Sequence, residues 1–325
     1  MNPRPLWKEP EDRDGALQAA ADLAGALAQA SRGTVEGVLL YGSHLLGARP
    51  DKNSALDLVV VVRDYRAFYR ALRAAGEIHR PVWLMTALSR VLPPNVIAFT
   101  PGRGAEGIAK CLIVSRDHLQ DALGPRPKDH FLLGRLVQRV AGVWVAGEEQ
   151  AQWLEQLLTQ ARAGVLEWVG PYVEGPFDAE ILGETLLRVC YGGELRPEAR
   201  DRSTTIFETQ REHFRESLAP ALAGAAQAGS LSSTGGSYRF VTPPDPGQRR
   251  RWDRHFRRSK IRATLRWLKH VVTFDNWLPY VHRKAERRLG TTIELSRLER
   301  RMPLIFLWPR VVRVLFTRPD QEKEP

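Results

Sequence analysis

Residues 38–62 read VLLYGSHLLGARPDKNSALDLVVVV, and two apolar runs in this stretch decide what kind of fold follows. The first run breaks at Tyr41-Gly42-Ser43. The second, Leu56 to Val62, is Val-rich on both faces, as a strand covered on both sides in the middle of a sheet would be. One carboxylate, Asp57, stands at its mouth. A strand, a glycine turn, an excursion and a return strand would bring Asp57 back beside the turn. Gly-Ser at a strand end leaves backbone N–H groups unobstructed and adds a hydroxyl, a suitable cradle for a phosphate. Taken alone the pair is a weak signal, and an ordinary strand-ending turn is the plain alternative.

Working outward, an Ala-rich helix over about residues 14 to 30 precedes a strand from Val35 to Leu40. After Val62 the pattern DYRAFYRALRAAG places Tyr65, Phe68, Tyr69 and Leu72 at helical spacing, with Asp64 as N-cap and Gly76 as stop. NVIAFTPG and IAKCLIVS read as two more strands joined by PGRGAEG, giving a mixed α/β core that ends near Leu123. Helices are expected from about Phe131 to Ala163, from Asp178 to Val189 and from Phe207 to Leu222, interrupted by YGGELRPEARD. AGSLSSTGGSYRFVTPPDPGQ, rich in Gly, Ser and Pro, reads as a loop or linker. The expected organisation is an α/β (α+β) domain over 1–125, a mostly helical domain over 126–228, a linker over 229–248 and a basic amphipathic tail over 249–325.

The chain has 325 residues, 43% hydrophobic and 26% charged, within the range of globular proteins. No run approaches the ~20 apolar residues of a spanning helix. The N-terminus carries early Glu and Asp and fits neither a secretory signal nor an acid-poor presequence, so a bacterial cytoplasmic location is expected. The two cysteines, Cys111 and Cys190, have no CxxC or His-rich company, which argues against a zinc site or a disulfide framework. Net charge is +11, yet residues 247–325 hold 21 Lys and Arg against 8 Asp and Glu. A nearly neutral body with a strongly basic tail calls for an anionic partner: phospholipid, nucleic acid or an acidic protein.

Gly42, Ser43 and Asp57 together resemble the DNA polymerase β-like nucleotidyltransferases, in which a Gly-Ser turn is followed by an acidic pair on the next strand. The first acid of that pair falls at Ala55, so only the second remains. Within that superfamily the chain resembles the mitochondrial-type phosphatidate cytidylyltransferases, the translocator assembly and maintenance proteins, which share the lone second Asp. YGSH is similar to their Tyr-Gly-Ser-Gly, GIAKCLIVSRDHLQDAL to their Lys-bearing strand, and FLLGRLVQRVAGVWV to their Gly-Arg segment. YGGELRP is similar to their Tyr-Ser-Gly-Asp-Phe-Arg, and HFRESL to their His-Phe-Arg-Glu-Leu. The departures are His44, Glu194 in place of Asp, Pro197, and a longer basic tail.

The resemblance implies transfer of CMP from CTP to phosphatidic acid, releasing pyrophosphate and giving CDP-diacylglycerol, with Mg²⁺ as cofactor. It implies catalytic roles for Asp57, Lys110 and Glu194, with Asp57 and Glu194 on the metal, and substrate contacts from Tyr41, Gly42, Ser43, Arg196, His213 and Arg215. Each has a plainer reading. Asp57 could be a strand-edge carboxylate, although burial without a partner would be costly; Lys110 could snorkel from an exposed face. Glu194 and Arg196 could form a solvated loop pair, and His213 and Arg215 a solvated helix face.

In the tail, Trp252, Phe256, Ala263, Trp267 and Val271 recur at approximate helical spacing among ten Lys and Arg, as in an interfacial helix on the inner face of the cytoplasmic membrane. MPLIFLWPRVVRVLF, residues 302–316, either lies in the interface or completes a helical core. The partners expected are CTP, phosphatidic acid and an anionic membrane surface, with no stable nucleic-acid partner. The rival readings are a nucleotidyltransferase acting on RNA or another phosphorylated acceptor, and an inactive nucleotidyltransferase-fold protein that binds membrane.

Overall fold

The two apolar runs pair as the turn between them requires. Strands β1 (Val35–Tyr41) and β2 (Leu56–Val62) are antiparallel, with Tyr41 opposite Asp57. The computed structural model describes residues 6–7, 15–45, 55–100, 108–192 and 201–273. β4 (Ala109–Ser115) runs parallel to β2, β3 (Asn95–Phe99) antiparallel to β4, and β5 (Ala141–Val145) antiparallel to β1. The order β3-β4-β2-β1-β5 puts Val-rich β2 in the centre, so the chain is α/β with a mixed five-stranded sheet.

Strand alternation builds two cores from one sheet. Val38, Leu40, Leu58, Val60 and Ile113 bury one face under helices α1 (Ala16–Ala30) and α2 (Tyr65–Ala74). Leu39, Val59, Val61, Leu112 and Val114 bury the other under α4 (Arg116–Leu123), α6 (Glu148–Ala163), α8 (Ala179–Gly192) and α9 (Asp201–Gln227). Asp64 caps α2 as its sequence position predicts, accepting from Ala67 N–H at 2.8 Å. α8 and α9 pack closely because Gly183 has no Cβ; one placed there would lie 2.6 Å from the Phe214 ring.

Two sequence expectations change, and one helix is added. The stretch from Phe131 to Ala163 is not all helix: only Leu133–Leu136 (α5) is helical before β5, because Val143 and Val145 belong to a short alternating run that covers the otherwise open edge of β1. A further helix, α3 (Val82–Val91), separates α2 from β3. Residues 229–248 are not a plain linker. They hold a hairpin, β6 (Leu231–Thr234) and β7 (Ser237–Phe240), turned on Gly235 and Gly236, both with positive φ. Tyr238 ties it to Phe177 through two backbone hydrogen bonds of 2.9 and 2.7 Å.

The basic tail begins as α10 (Pro246–Thr273), which packs against β3 rather than standing free. The apolar residues Trp252 and Phe256, expected to meet a membrane, turn inward against the core, where they surround His130. The side chains of Trp267 and Val271, and all of 302–316, lie outside the described residues. Another stripe faces out: Ile261, Leu265, Leu268 and Val272 are exposed one helical turn apart. Among the described residues no helix is long and apolar enough to cross a membrane.

Candidate active site

The site lies where the ends of β1 and the starts of β2 and β4 meet. Gly42 follows Tyr41 with φ +87°, a backbone region that favours glycine, and Leu45 N–H bonds the Gly42 carbonyl at 3.1 Å to close a turn containing Ser43 and His44. The turn passes directly over the aspartate: a Cβ on Gly42 would stand 3.0 Å from Asp57 Oδ2. Glycine is needed here both for backbone angle and for clearance.

Asp57 and Lys110 occupy the same register in parallel β2 and β4, so their side chains leave the same face of the sheet. Lys110 Nζ lies 3.7 Å from Asp57 Oδ1. The two side chains are 29% and 39% exposed, which leaves both within reach of a ligand from solvent. Lys110 is flanked on β3 by Ala98, too short to compete for that space. The turn, the carboxylate and the ammonium expected from sequence are therefore brought together.

The remaining sequence candidates separate from this cluster. Arg215 on α9 pairs with Glu180 of α8 and, at 3.1 Å, with Glu212. His213 bonds the backbone of Val137 and Gln138; burial first, then Arg162 and Arg139, push its pKa down to about 3. Both fasten α9 to its neighbours. Glu194 and Arg196 lie outside the described residues.

Two cations that the sequence reading did not single out meet on one aromatic ring. Arg135 of α5 stacks on Phe131, with Cζ 3.9 Å from the ring centroid, while Arg266 of α10 lies 4.4 Å from the same ring. His270 follows one turn after Arg266. Burial first, then Lys269, Lys110, Arg266 and Arg135, push the pKa of His270 down to about 3. A run of basic residues carries no sequence signal that its helix will dock on β3, far earlier in the chain.

Among the described residues no three His, Cys, Asp or Glu side chains gather as a metal site. A resident ion held by protein alone does not fit this donor set. One carboxylate beside a phosphate-binding turn suits a magnesium ion that arrives on a nucleotide, since Mg²⁺ is commonly held by one or two carboxylates plus substrate phosphates. No protein-family model matches the chain, and no curated protein matches it.

Proposed function

We propose that the protein transfers CMP from CTP to the phosphate of phosphatidic acid at a membrane surface. The observation that carries this reading is the convergence of the Gly42 turn, Asp57 and Lys110 at one partly open edge of the sheet. The choice of CTP and phosphatidate rests on the resemblance of the motifs around these residues to the mitochondrial-type cytidylyltransferases.

In this reading the turn at Gly42 and Ser43 holds the nucleotide's β- and γ-phosphates through backbone N–H groups and the hydroxyl. Asp57 would hold Mg²⁺, which when bound neutralises and orients the phosphate oxygens. Lys110 stabilises charge on the α-phosphoryl group. A phosphatidate oxygen forms a new bond to the α-phosphorus as the α–β bridging P–O bond breaks and pyrophosphate leaves. The attacking oxygen is already anionic, so no general base is required.

The outward face of α10 supports a lipid-borne acceptor. Its first half exposes Arg250, Arg254, Arg257 and Arg258, and its second half the stripe of Ile261, Leu265, Leu268 and Val272. A helix of this kind seats apolar side chains at the acyl boundary while its cations meet anionic headgroups, each worth about 1 kcal/mol near the surface.

The test is to incubate the full chain with labelled CTP, Mg²⁺ and phosphatidate-containing vesicles, with RNA as a competing acceptor. Lipid-soluble label is expected, lost roughly a thousandfold in Asp57→Ala, the several kcal/mol that such a metal contributes. Label in RNA would favour the rival acceptor. Label in neither would leave only the membrane-binding reading.

A further inference from the structure

β4 carries the candidate site's lysine at its start and, at its other end, a set of polar groups with no part in that site. Lys110 is the second residue of the strand; Ser115 closes it and caps α4, roughly 17 Å away at about 3.3 Å per residue. There α3, α4 and α10 border a cavity of about 170 Å³ whose wall includes Arg90, Val91, His118, Asp121, Lys128 and Arg262. α10 is brought to this place by its inward basic residues. Arg262 and Arg266 donate to Asp129 Oδ2 at 2.7 and 2.8 Å, and Arg266 also to the Pro93 carbonyl at 2.9 Å. Lys269 donates to the Pro94 carbonyl at 2.8 Å and to the carbonyls of Leu88 and Leu92, where α3 ends.

His118 is set in this wall as a fixed donor. The Tyr65 hydroxyl accepts from Ser115 N–H at 2.9 Å and lies 2.9 Å from His118 Nδ1. With one donor already on that oxygen, the hydroxyl's own hydrogen goes to Nδ1, which leaves the neutral ring protonated at Nε2. Burial raises the Tyr65 pKa and lowers that of His118, so both keep these neutral forms near pH 7. Among the described residues nothing bonds Nε2, and its N–H is left for a ligand. Charge favours an anion. Asp129 is neutralised by Arg262 and Arg266. Lys128 is exposed with no ion-pair partner among the described residues, and Arg90 has only Asp64 at 3.9 Å. One exposed acid of the wall, Asp121, stands against them. An imidazole donor with an ammonium and a guanidinium suits a phosphate, which accepts several charge-assisted hydrogen bonds at once. The lip is apolar: Val91 is 77% exposed, and α10, bonded to the end of α3, exposes Ile261, Leu265 and Leu268.

We propose that the cavity between α3, α4 and α10 is a phosphate-binding site, separate from the one at Asp57, in which His118, Lys128 and Arg90 hold a single phosphate group. Two sources share this chemistry: a lipid headgroup, seated while the apolar lip meets acyl chains, and a soluble phosphomonoester. The inference goes beyond CMP transfer and needs neither CTP nor turnover. A lipid held here would keep the chain on its membrane without occupying the Asp57 site.

The experiment uses the full chain. Glycerol 3-phosphate is titrated while the imidazole ¹⁵N resonances are followed, in the wild type, in Lys110→Met, in the double variant Arg90→Ala with Lys128→Ala, and in Arg250→Ala as a control for surface charge elsewhere on α10. The substituted residues at the cavity are exposed, so the fold should persist. The His118 Nε2 resonance should move in the wild type and equally in Lys110→Met, which separates this site from the one at Asp57. Affinity should fall at least about tenfold in the double variant, the scale of one charge-assisted hydrogen bond, and far less in Arg250→Ala. Flotation with phosphatidate-containing and purely neutral vesicles then identifies the source. Weaker binding of the double variant to the phosphatidate vesicles means a lipid headgroup; unchanged vesicle binding means a soluble phosphate. An unmoved His118 resonance, or an equal loss in Arg250→Ala, would overturn the proposal. A chain that binds phosphate at His118 yet transfers no CMP would keep this inference and reject the cytidylyltransferase reading.

Discussion

Gly42 and Asp57 show how closely backbone and chemistry are joined at the site. An L-residue at φ +87° costs about 1–2 kcal/mol, and a methyl group there would press on Asp57 Oδ2 at 3.0 Å. Gly42→Ala should therefore lower Tm by a few degrees and weaken nucleotide binding by more than the loss of fold explains, measured by thermal denaturation and calorimetry on the same sample. Lys110→Met removes the ammonium but keeps the stem that packs along the strand. It should leave Tm near the wild-type value and cut transfer by about a hundredfold or more, as expected for one preorganised charge-stabilising group. At this scale the sequence was legible where chemistry and pattern coincide. Gly42, Ser43 and Asp57 could be placed because a turn and a strand start are local signals. The meeting of Arg135 and Arg266 on Phe131 could not, because it is set by how a helix far along the chain docks.

α10 is the element whose reading changed most. Its inward face is aromatic at the start, where Trp252 and Phe256 meet His130, and basic at the end, where Arg266 and Lys269 meet carbonyls. Its outward face runs the other way, arginines first and then aliphatic residues. A single hydrophobic stripe read from spacing averages over this inversion, which is why the sequence pointed Trp252 and Phe256 toward a membrane. Burial of Asp129 raises its carboxyl pKa, but Arg266 and Arg262 outweigh that and hold it below the usual range. Asp129→Ala would leave the Arg266 guanidinium buried and unpaired, and should cost about 3–5 kcal/mol, measurable by urea unfolding. The helix is also held by His130, whose Nδ1 lies 2.9 Å from His255 Nε2 and whose pKa burial pushes down to about 3. The folded value lies below the ~6.5 of an unfolded histidine, so the stabilisation is complete above pH 6.5 and falls as pH drops toward 3. Tm should decline on acidification through this window, with a slope of up to about 1.4 kcal/mol per pH unit for each such group, and decline less steeply in His130→Phe.

Over the whole molecule, the central strand β2 organises everything else. Its alternation assigns Val60 and Leu58 to the core under α1 and α2, and Val59 and Val61 to the core under α4, α6, α8 and α9, and it delivers Asp57 to the end of the strand on the second face. That much followed from LDLVVVV and the turn before it. What did not follow was tertiary: β5 exists because β1 has an edge to cover, the Gly235-Gly236 hairpin because Tyr238 finds Phe177, and the docking of α10 because its cations find carbonyls and Asp129. The exposed face of the same helix should bind vesicles containing anionic lipid more tightly than neutral ones, with affinity falling as salt rises, and Leu265→Glu with Leu268→Glu should weaken it without lowering Tm. The central claim, that the Gly42 turn and Asp57 form one nucleotide site, is tested most directly by calorimetric titration of CTP with and without Mg²⁺ into the wild type and Asp57→Ala. Binding that requires Mg²⁺ and is lost in the folded variant is the expected result; equal binding by both proteins, or none by the wild type, would contradict the account.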